Sequence, residues 1–400
     1  MNKNLEKLYQ TGQKNARVIL GLMSGTSFDG LDLALCRISG SGRDTCVDLL
    51  HFDTVSYQPA FKESLKSVFS RRDADLEKVC LLNNHVAIEH ARMINDTLAK
   101  WGVKNENVDL IASHGQTIYH APAFLHGRPD YGNATLQIGD GDHIAVHTGI
   151  ISISDFRQKH VAAGGEGAPL AVYGDYLVFS KKGENRIMLN IGGIANFTYL
   201  PGDLDAGKVF STDVGPGNTM MDALMQSIYP EQYYDQDAGV ARKGTVHPAL
   251  LTALKAHAFF DGPFPKTIGP ELFNLDYLQK AMQTAGTGVL SAEDQMATLS
   301  QLSADMIVDA INRTVDMKNP FTVYVSGGGM HNPLLMENIR EQLKGIPFHS
   351  TQALEINPDA KEAVLFALLA NETVAGGAVR LGENRKGIPN VSMGKISFPD

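Results

Sequence analysis

The residues with the clearest potential for chemistry lie in a glycine-rich segment near the start of the sequence. Residues 24–32 read Ser-Gly-Thr-Ser-Phe-Asp-Gly-Leu-Asp, so hydroxyls and two carboxylates accompany a loop with two glycines. Such a loop can turn several backbone N–H groups inward as an anion nest, and glycine lets phosphate oxygens approach the backbone. Asp29 or Asp32 could hold magnesium directly or through water, because that ion prefers oxygen ligands. The spacing alone is equally consistent with a hairpin turn rich in turn-forming residues.

Two further glycine clusters follow strand-like runs. Residues 190–196 read Asn-Ile-Gly-Gly-Ile-Ala-Asn between two such runs, and residues 327–332 read Gly-Gly-Gly-Met-His-Asn after a third. Asn332 and Pro333 suit the N-cap and the first position of a helix. The loop after Ser24 instead joins two strands and lacks G-K-[ST]. This excludes a Walker loop and a dinucleotide fingerprint, since both open a helix.

Two carboxylates could act on a bound substrate. Asp155 follows the apolar run 150–153, and open α/β sheets bind ligands at the carboxyl ends of their strands, so Asp155 is a candidate general base. The alternatives are a helix cap or an ion pair with Arg157. Glu362 has the spacing of a capping box with Asp359 before an apolar helix. From the residues alone, a catalytic role for Glu362 needs outside support.

Other polar clusters are less specific. Residues 213–218 read Asp-Val-Gly-Pro-Gly-Asn and could offer a carboxylate to magnesium or ribose, or form a turn with a cap. Residues 113–117 read Ser-His-Gly-Gln-Thr and could contact sugar hydroxyls, although a plain polar loop is equally consistent. His143 and His147 have helical i, i+4 spacing, but the glutamate of H-E-x-x-H is missing, so we expect no metal site there.

Alternating strands and helices must position these residues. Apolar and period-two runs predict strands over 18–23 and 31–38, joined by the first glycine loop, and a second hairpin over 186–200. Two such hairpins half a chain apart suggest an internal structural duplication. A capping box at Ser291 predicts a long helix, and a short helix before Gly149 precedes the strand that delivers Asp155. This alternation indicates α/β layers.

Composition limits the class of protein. The chain has 400 residues, of which 43% are hydrophobic and 20% charged, which excludes disorder or a coiled coil and suggests two or three domains. A net charge of −9 without a block of Lys or Arg argues against a nucleic-acid partner. No apolar run has the length of a signal peptide core or a membrane helix, so we expect a soluble intracellular protein. Three cysteines without C-x-x-C indicate neither a disulfide framework nor a thiolate zinc site.

The motifs occur in the order of the phosphate 1, catalytic, phosphate 2 and adenosine regions of the actin, Hsp70 and sugar-kinase superfamily. Within it, the sequence closely resembles the anhydro-N-acetylmuramic acid kinases. The resemblance rests on Gly21-Leu-Met-Ser-Gly-Thr-Ser-Phe-Asp-Gly-Leu-Asp32, Ser113-His-Gly-Gln-Thr117, Asp155-Phe-Arg157, Asn190-Ile-Gly-Gly-Ile-Ala-Asn196, Asp213-Val-Gly-Pro-Gly-Asn218 and Gly327-Gly-Gly-Met-His-Asn-Pro333. Residues 362–367 keep the glutamate, phenylalanine and alanine of the family's E-A-x-x-F-A. Phe28 and Leu31 replace the family's usual leucine and valine.

The resemblance implies an α/β fold, a two-domain actin-like ATPase of the ribonuclease H-like type with a central interdomain cleft. We place a sugar-side domain with the phosphate 1 hairpin at residues 1–157 plus about 373–400. A nucleotide-side domain with the phosphate 2 and adenosine motifs would span 158–372. The expected state is a cytoplasmic homodimer without nucleic-acid or membrane partners.

The same resemblance implies an ATP- and magnesium-dependent enzyme of cell-wall recycling. It would open the 1,6-anhydro bond of 1,6-anhydro-N-acetylmuramic acid with water and phosphorylate O6, giving N-acetylmuramic acid 6-phosphate and ADP. Asp155 would be the base that activates water at the anomeric carbon, and Glu362 would orient the sugar. The other expected substrate contacts are His114, Gln116 and Arg157. The expected magnesium ligands, directly or through water, are Asp29 and Asp213.

The resemblance also implies the nucleotide contacts. They are Gly25, Thr26, Ser27, Phe28, Asp29, Gly30, Leu31 and Asp32 in the first loop, Gly192, Gly193, Asn196, Asp213 and Gly215 in the second region, and Gly327, Gly328, Gly329 and Asn332 in the third. One alternative is another small-molecule kinase on the same scaffold. A second is a non-catalytic ATP-binding module of the Hsp70 type, against which the carboxylate of Asp155 argues.

Overall fold

The computed structural model describes residues 2–26, 28–268, 272–377, 380–381 and 388–400. The chain divides into two compact units. Unit 1 comprises Met1–Phe179 and Ala360–Asp400, and unit 2 comprises Ser180–Asp359. The expected α/β fold with two domains is confirmed.

Unit 1 is built on a mixed sheet. Its strands are β1 (Ala16–Ser24), β2 (Gly30–Ser39), β3 (Cys46–Ser56), β4 (Leu110–Ala121), β5 (Ala134–Ile138), β6 (Ser152–Ser154) and β12 (Lys395–Ser397). Its helices are α1 (Lys3–Gln13), α2 (Pro59–Lys66), α3 (Leu76–Lys100), α4 (Ala123–His126), α5 (Gly141–Thr148), α6 (Phe156–Ala162), α7 (Ala171–Phe179) and α14 (Lys361–Asn371). The strand order is β12-β6-β4-β1-β2-β3, with β5 paired to β4. β1, β2 and β3 form an antiparallel meander, whereas β4 runs parallel to β1 and β6.

Helices cover both faces of the first strand, so its side chains are buried in both directions. Leu20 and Leu22 pack in one core with residues of α3, whereas Gly21 points the other way, toward α14. A Cβ at Gly21 would lie 2.0 Å from the carbonyl oxygen of Ala363. Only glycine therefore allows α14 to lie this close to the sheet, and this approach places Glu362.

Unit 2 has a second mixed sheet. Its strands are β7 (Asn185–Ile191), β8 (Ile194–Leu200), β9 (Phe210–Pro216), β10 (Phe321–Ser326) and β11 (Phe348–Ser350). Its helices are α8 (Thr219–Ile228), α9 (Pro248–Lys255), α10 (Ala258–Asp261), α11 (Leu275–Ala285), α12 (Ala292–Thr314) and α13 (Pro333–Gln342). The strand order is β11-β10-β7-β8-β9, with an antiparallel meander β7-β8-β9 and with β10 parallel to β7 and β11.

The two sheets share one topology. In each sheet, the first three strands along the chain form an antiparallel meander. Two later strands extend the sheet from the first strand, on the side away from the meander, and they run parallel to it. The duplication predicted from the two glycine hairpins is therefore present in the strand order. The predicted caps are also present, because Ser291 accepts a hydrogen bond from the N–H of Asp294 and Asn332 from that of Leu335.

The units divide at other residues than those predicted from the sequence. Residues 158–179 and 360–372 group with unit 1 rather than with the nucleotide-side domain. The physical reason is that α14 packs against β1, β2 and β4, and α7 packs against α14. Within the part of the chain described here, no helix is long and apolar enough to cross a membrane.

Candidate active site

Asp155 stands at the end of β6, as predicted, with a left-handed backbone at φ 58°. It occupies the N-cap position of α6, but its side chain makes no capping hydrogen bond. Its Oδ2 lies 2.5 Å from Nζ of Lys395 on β12. Asp155 thus lies at a helix cap position without making a capping bond, and its ion pair is with Lys395 rather than with Arg157. Non-glycine residues at positive φ are uncommon and cluster at functional sites.

A cavity of about 620 Å³ in unit 1 lies beside this carboxylate. Asp155, Lys395 and His114 line it, together with Asn83 and Gln137. Small-molecule sites commonly measure about 300 to 1,000 Å³. The cavity is therefore large enough for a sugar, and it presents the carboxylate of Asp155 and the ammonium group of Lys395 to one ligand.

His114 and Arg157 form a second polar pair in unit 1. Nε of Arg157 donates to Nε2 of His114 at 3.0 Å, and Nη1 donates to the carbonyl of Gly167 at 2.7 Å. Burial, aided by the Arg157 charge, holds the pKa of His114 well below its usual value. The imidazole is therefore neutral near pH 7 and accepts this bond. Burial lowers the pKa of Arg157 to about 10, so the guanidinium stays protonated at that pH.

Glu362 lies in the first turn of α14. Ala360 occupies the N-cap without a side-chain hydrogen bond, so the interpretation of Glu362 as a capping box with Asp359 was wrong. Solvent reaches the side chain, but surrounding protein atoms remove much of its hydration. This desolvation raises the pKa of Glu362, and the charges of Lys361 and Arg157 oppose the rise. A carboxylate perturbed in this way is typical of a functional site.

The loop between β1 and β2 is the first predicted phosphate site, and Ser27 within it lies outside the described residues. Phe28 is buried and packs edge-to-face on Phe69 with ring centroids 5.0 Å apart. Leu31 is also buried in the core. These two side chains anchor the loop, so only the backbone of Phe28 and Leu31 could contact a ligand.

The two carboxylates of this loop have different partners. The exposed carboxylate of Asp29 lies 3.0 Å from Nζ of Lys62. The carboxylate of Asp32 accepts a hydrogen bond from the hydroxyl of Thr54 at 2.6 Å. Asp29 is therefore the more accessible candidate for a metal ion.

Gln116, expected to contact the sugar, supports the loop from inside. The side chain is fully buried, its Nε2 donates to the carbonyl of Gly25 at 3.2 Å, and its Oε1 accepts from the hydroxyl of Ser24 at 2.5 Å. Both polar atoms of the amide are therefore hydrogen-bonded within the protein. The structure gives Gln116 no direct access to a ligand.

The second glycine turn, Gly192-Gly193, joins β7 to β8 in unit 2. The backbone N–H groups of residues 217–219 donate to the carbonyls of this turn at 2.8 to 3.1 Å. A Cβ at Gly192 would meet no atom closer than 3.6 Å, so space remains beside the turn. In a trans peptide the N–H points away from the carbonyl. The N–H groups that follow the Gly192 and Gly193 carbonyls therefore point away from residues 217–219. The turn can therefore act as an anion site.

Asp213 and Gly215 lie on β9, where Asp213 pairs with Asn196 of β8. Oδ2 of Asp213 accepts a hydrogen bond from the N–H of Ile268 at 2.8 Å. Gly215 has φ 147°, and a Cβ there would lie 3.0 Å from the ring of Phe260. Asp213 thus has a structural partner in addition to any metal ion that it binds.

The triple glycine after β10 passes close to the second turn. A Cβ at Gly327, which has φ 82°, would lie 2.6 Å from Oδ1 of Asn190, and one at Gly329 would lie 2.2 Å from the side chain of Ile191. Gly328 and Asn332 line a cavity of about 440 Å³ in unit 2. Its other walls include Asp222, Tyr234 and Asp237. This cavity has the size and the mixed polarity of a nucleoside site.

The carboxylates fit magnesium only in combination with a ligand. Over the residues that the structure describes, no group of three or more His, Cys, Asp or Glu side chains could hold a metal ion. Magnesium in phosphoryl-transfer sites commonly uses one or two carboxylates together with water and substrate phosphates. Asp29 and Asp213 supply oxygen ligands of that type, so the residues present are compatible with the ion.

Lys395, Tyr234 and Asp237 line the two cavities but are not predicted from the sequence. Lys395 reaches Asp155 because β12 pairs antiparallel with β6, which puts Lys395 opposite Ser154. The only signal in the sequence is a short run, Lys-Ile-Ser, near the end of the chain. Tyr234 and Asp237 lie after α8, and Asp237 belongs to a three-residue 3-10 turn, Gln236–Ala238, that is too short to show a periodic pattern in the sequence.

The sequence comparisons with known proteins agree on one family. The model of the family described as anhydro-N-acetylmuramic acid kinase matches residues 17–393. An anhydro-N-acetylmuramic acid kinase of Pseudoalteromonas atlantica is 56% identical over 401 residues, covering 100% of both chains. One of Caldanaerobacter subterraneus is 35% identical over 98% of this chain and 100% of its own. Among solved structures, the ADPNP-bound activator of the 2-hydroxyisocaproyl-CoA dehydratase from Clostridium difficile aligns with 12% identity and a TM-score of 0.44, covering 89% of this chain and 95% of that one.

Proposed function

This chain belongs to the anhydro-N-acetylmuramic acid kinase family, and on that premise we propose how its residues carry out the reaction. It is a phosphotransferase with an alcohol group as acceptor, and it acts in peptidoglycan recycling. It converts 1,6-anhydro-N-acetylmuramic acid, ATP and water to N-acetylmuramic acid 6-phosphate and ADP.

Asp155 is the general base of this reaction. The observation that carries this role is a carboxylate that lines the 620 Å³ cavity, makes no capping bond and is held through one oxygen by Lys395. Water attacks the anomeric carbon and gives a proton to Asp155 while the bond from that carbon to O6 breaks. O6 then takes the γ-phosphoryl group, and ADP leaves. A positioned base contributes on the order of 10² to 10⁴ in rate.

Glu362, His114 and Arg157 orient the sugar. The neutral imidazole of His114 holds the protonated guanidinium of Arg157, and the poorly hydrated carboxylate of Glu362 interacts electrostatically with the same guanidinium. Such a fixed arrangement lowers the entropic cost of aligning a substrate. Gln116 supports the phosphate loop instead of contacting the sugar.

The glycine loops bind the nucleotide. In unit 1, the backbone of residues 25, 26 and 28–30 would bind phosphates through N–H groups. In unit 2, the Gly192-Gly193 turn would bind phosphates in the same way, and the 440 Å³ cavity beside Gly328 and Asn332 would hold the adenosine. Phosphoryl transfer depends mainly on positioning and on neutralising charge. Magnesium supplies charge neutralisation when bound, and Asp29 and Asp213 are the residues that would hold it, directly or through water.

The decisive experiment combines labelled water with a substitution at Asp155. In H₂¹⁸O, the product should carry one labelled oxygen at the anomeric carbon, as measured by mass spectrometry. Asp155→Asn should keep its melting temperature and its ATP binding but lose at least 10²-fold in turnover. Unlabelled product would refute the coupled hydrolysis, and turnover near normal in Asp155→Asn would refute the base.

Asp53→Asn is a closely matched control. The carboxylate of Asp53 also lies 2.5 Å from a lysine Nζ, that of Lys100, and it is 28% exposed compared with 26% for Asp155. Asp53 lies on β3 and lines neither of the two proposed ligand cavities. This variant should therefore lose the same kind of ion pair without losing turnover.

Release of ADP with a panel of sugars tests the substrate. A kinase of another sugar on the same scaffold would act on sugars without the anhydro bridge, whereas this enzyme should require the bridge. We further propose a cytoplasmic homodimer, which light scattering on the purified chain tests directly: a monomeric mass would contradict the dimer.

A further inference from the structure

Four buried side chains form a hydrogen-bonded chain that ends on the phosphate loop. We call His90, Tyr57, Ser24 and Gln116 the relay. Their exposed fractions are 0%, 6%, 1% and 0%. Nε2 of His90 lies 2.7 Å from the hydroxyl of Tyr57, and this hydroxyl lies 2.7 Å from that of Ser24. The Ser24 hydroxyl binds Gln116, whose Nε2 binds the carbonyl of Gly25.

The contacts give the relay one direction. The Ser24 hydroxyl donates its only hydrogen to Oε1 of Gln116, so it must accept from Tyr57. Tyr57 therefore donates its own hydroxyl hydrogen to Ser24, and His90 must donate to the Tyr57 hydroxyl through Nε2. Burial lowers the pKa of His90 to about 4, so the ring is neutral and carries one N–H. Its Nδ1, an acceptor in this tautomer, has no hydrogen-bond partner within the described chain.

The end of the relay fixes a peptide plane. Gln116 holds the carbonyl of Gly25 toward the buried side. Because a trans peptide is planar, the N–H of Thr26 must then point the opposite way, into the loop. This N–H has no acceptor among the residues that the structure describes. It is a backbone donor aimed at the space where the phosphates would lie.

Tyr57 also holds the far side of the same loop. Its backbone N–H donates to the carbonyl of Asp29 at 3.1 Å, while its hydroxyl binds Ser24 at the near side. One residue thus bonds to both ends of the segment 24–29. The ring is fixed by an edge-to-face contact with Phe61 at 4.8 Å.

We propose that Tyr57 is a positioning residue for phosphate binding, which acts through the relay to orient the Thr26 N–H toward the nucleotide phosphates. This inference rests on the proposed function, because it assumes that the loop binds ATP. Without the Tyr57 hydroxyl, Ser24 and Gln116 can exchange partners, and the peptide after Gly25 loses its fixed orientation. Hydrogen bonds to charged groups contribute more than neutral ones, so phosphate affinity should suffer more than stability.

Tyr57→Phe tests the inference, and Tyr173→Phe is the matched control. Tyr173 is also buried in unit 1 and also donates one hydroxyl hydrogen bond, to the carbonyl of Pro389 at 2.8 Å. Both variants should lose a similar amount of melting temperature. Only Tyr57→Phe should weaken the binding of a non-hydrolysable ATP analogue, by about tenfold, which corresponds to about 1.4 kcal/mol. Adenosine, which lacks phosphates, should bind both variants as it binds the wild-type protein.

The outcomes separate the inference from the proposed function. Binding of the analogue to Tyr57→Phe within twofold of Tyr173→Phe would overturn the inference, and so would an equal loss of adenosine affinity. Ser24→Ala breaks the relay one step later and should show the same selective loss, so it decides the question if Tyr57→Phe does not fold. Nucleotide binding is measured without sugar. Failure of the wild-type protein to phosphorylate the anhydro-sugar would therefore refute the proposed function alone.

Discussion

Lys395→Met should lower turnover of the sugar with only a small loss of stability. The ammonium group holds Oδ2 of Asp155 at 2.5 Å, which leaves the other carboxylate oxygen for the water that attacks in the proposed mechanism. Methionine keeps most of the length and the apolar stem of the side chain but removes the charge. Without that partner, the carboxylate of Asp155 can rotate away from the orientation that the reaction requires.

The exposure of the pair sets the expected size of the effect. The Lys395 side chain is 66% exposed and that of Asp155 is 26% exposed, so water screens their attraction. Exposed ion pairs contribute about 1 kcal/mol or less. If that energy holds the productive orientation, its loss lowers kcat by about fivefold, since about 1.4 kcal/mol corresponds to tenfold. The melting temperature should change by at most a few degrees.

The assay measures kcat and KM for the anhydro-sugar at saturating ATP. Lys100→Met is the control, because Lys100 forms the equally short pair with Asp53 and is 68% exposed. It should match Lys395→Met in melting temperature and the wild-type protein in kinetics. Lys395→Arg, which keeps a cation at this position, should recover most of kcat. Equal kcat values in Lys395→Met and Lys100→Met would refute the positioning role.

Two further predictions concern α14. Gly21→Ala should lower the free energy of unfolding by about 1 to 3 kcal/mol, because its Cβ would lie 2.0 Å from the Ala363 carbonyl oxygen. Urea denaturation measures this loss. Gly132→Ala is the control and should leave the free energy of unfolding unchanged, because a Cβ there meets nothing within 4 Å. Glu362→Gln should raise the melting temperature at pH 8 and abolish efficient turnover. Desolvation raises the pKa of Glu362, so the folded state favours the neutral acid, and the stability from this group is present at low pH and is lost as pH rises. The advantage of the glutamine variant should therefore shrink toward pH 4.5 in calorimetry, and a constant difference would contradict this explanation.

The positions of the chemically distinctive residues could be predicted from the sequence, whereas their partners could not. Asp155 follows an apolar strand, and the glycine loops interrupt clear strand patterns, so local signals place them. Lys395 pairs with Asp155 across 240 positions of sequence. No local pattern encodes such a pairing, because it depends on β12 pairing with β6, which lies far from it in the sequence.

Gln116 shows a second limit of sequence analysis. Alternating polarity identifies the faces of a strand when one face meets water, but residues 110–116 of β4 are buried without interruption. A polar side chain in such a strand can face a ligand or the interior equally well, and only the position of Ser24 on β1 decides for the interior. The same limit explains why the predicted domain boundary differs from that of the two units. The helix α14 is buried along almost its whole length, so its sequence does not indicate which sheet it covers.

An acidic chain that binds a polyanion must orient its donors by something other than excess positive charge. The net charge is −9, and the carboxylate of Asp29 already engages the nearby Lys62. A lysine buried beneath the loop would cost several kcal/mol in desolvation, whereas a neutral chain of hydrogen bonds costs little once each member has a partner. The relay meets this condition except at Nδ1 of His90, its end farthest from the loop. Orientation set by neutral groups explains how the proposed phosphate loop after Ser24 can bind an anion without excess positive charge.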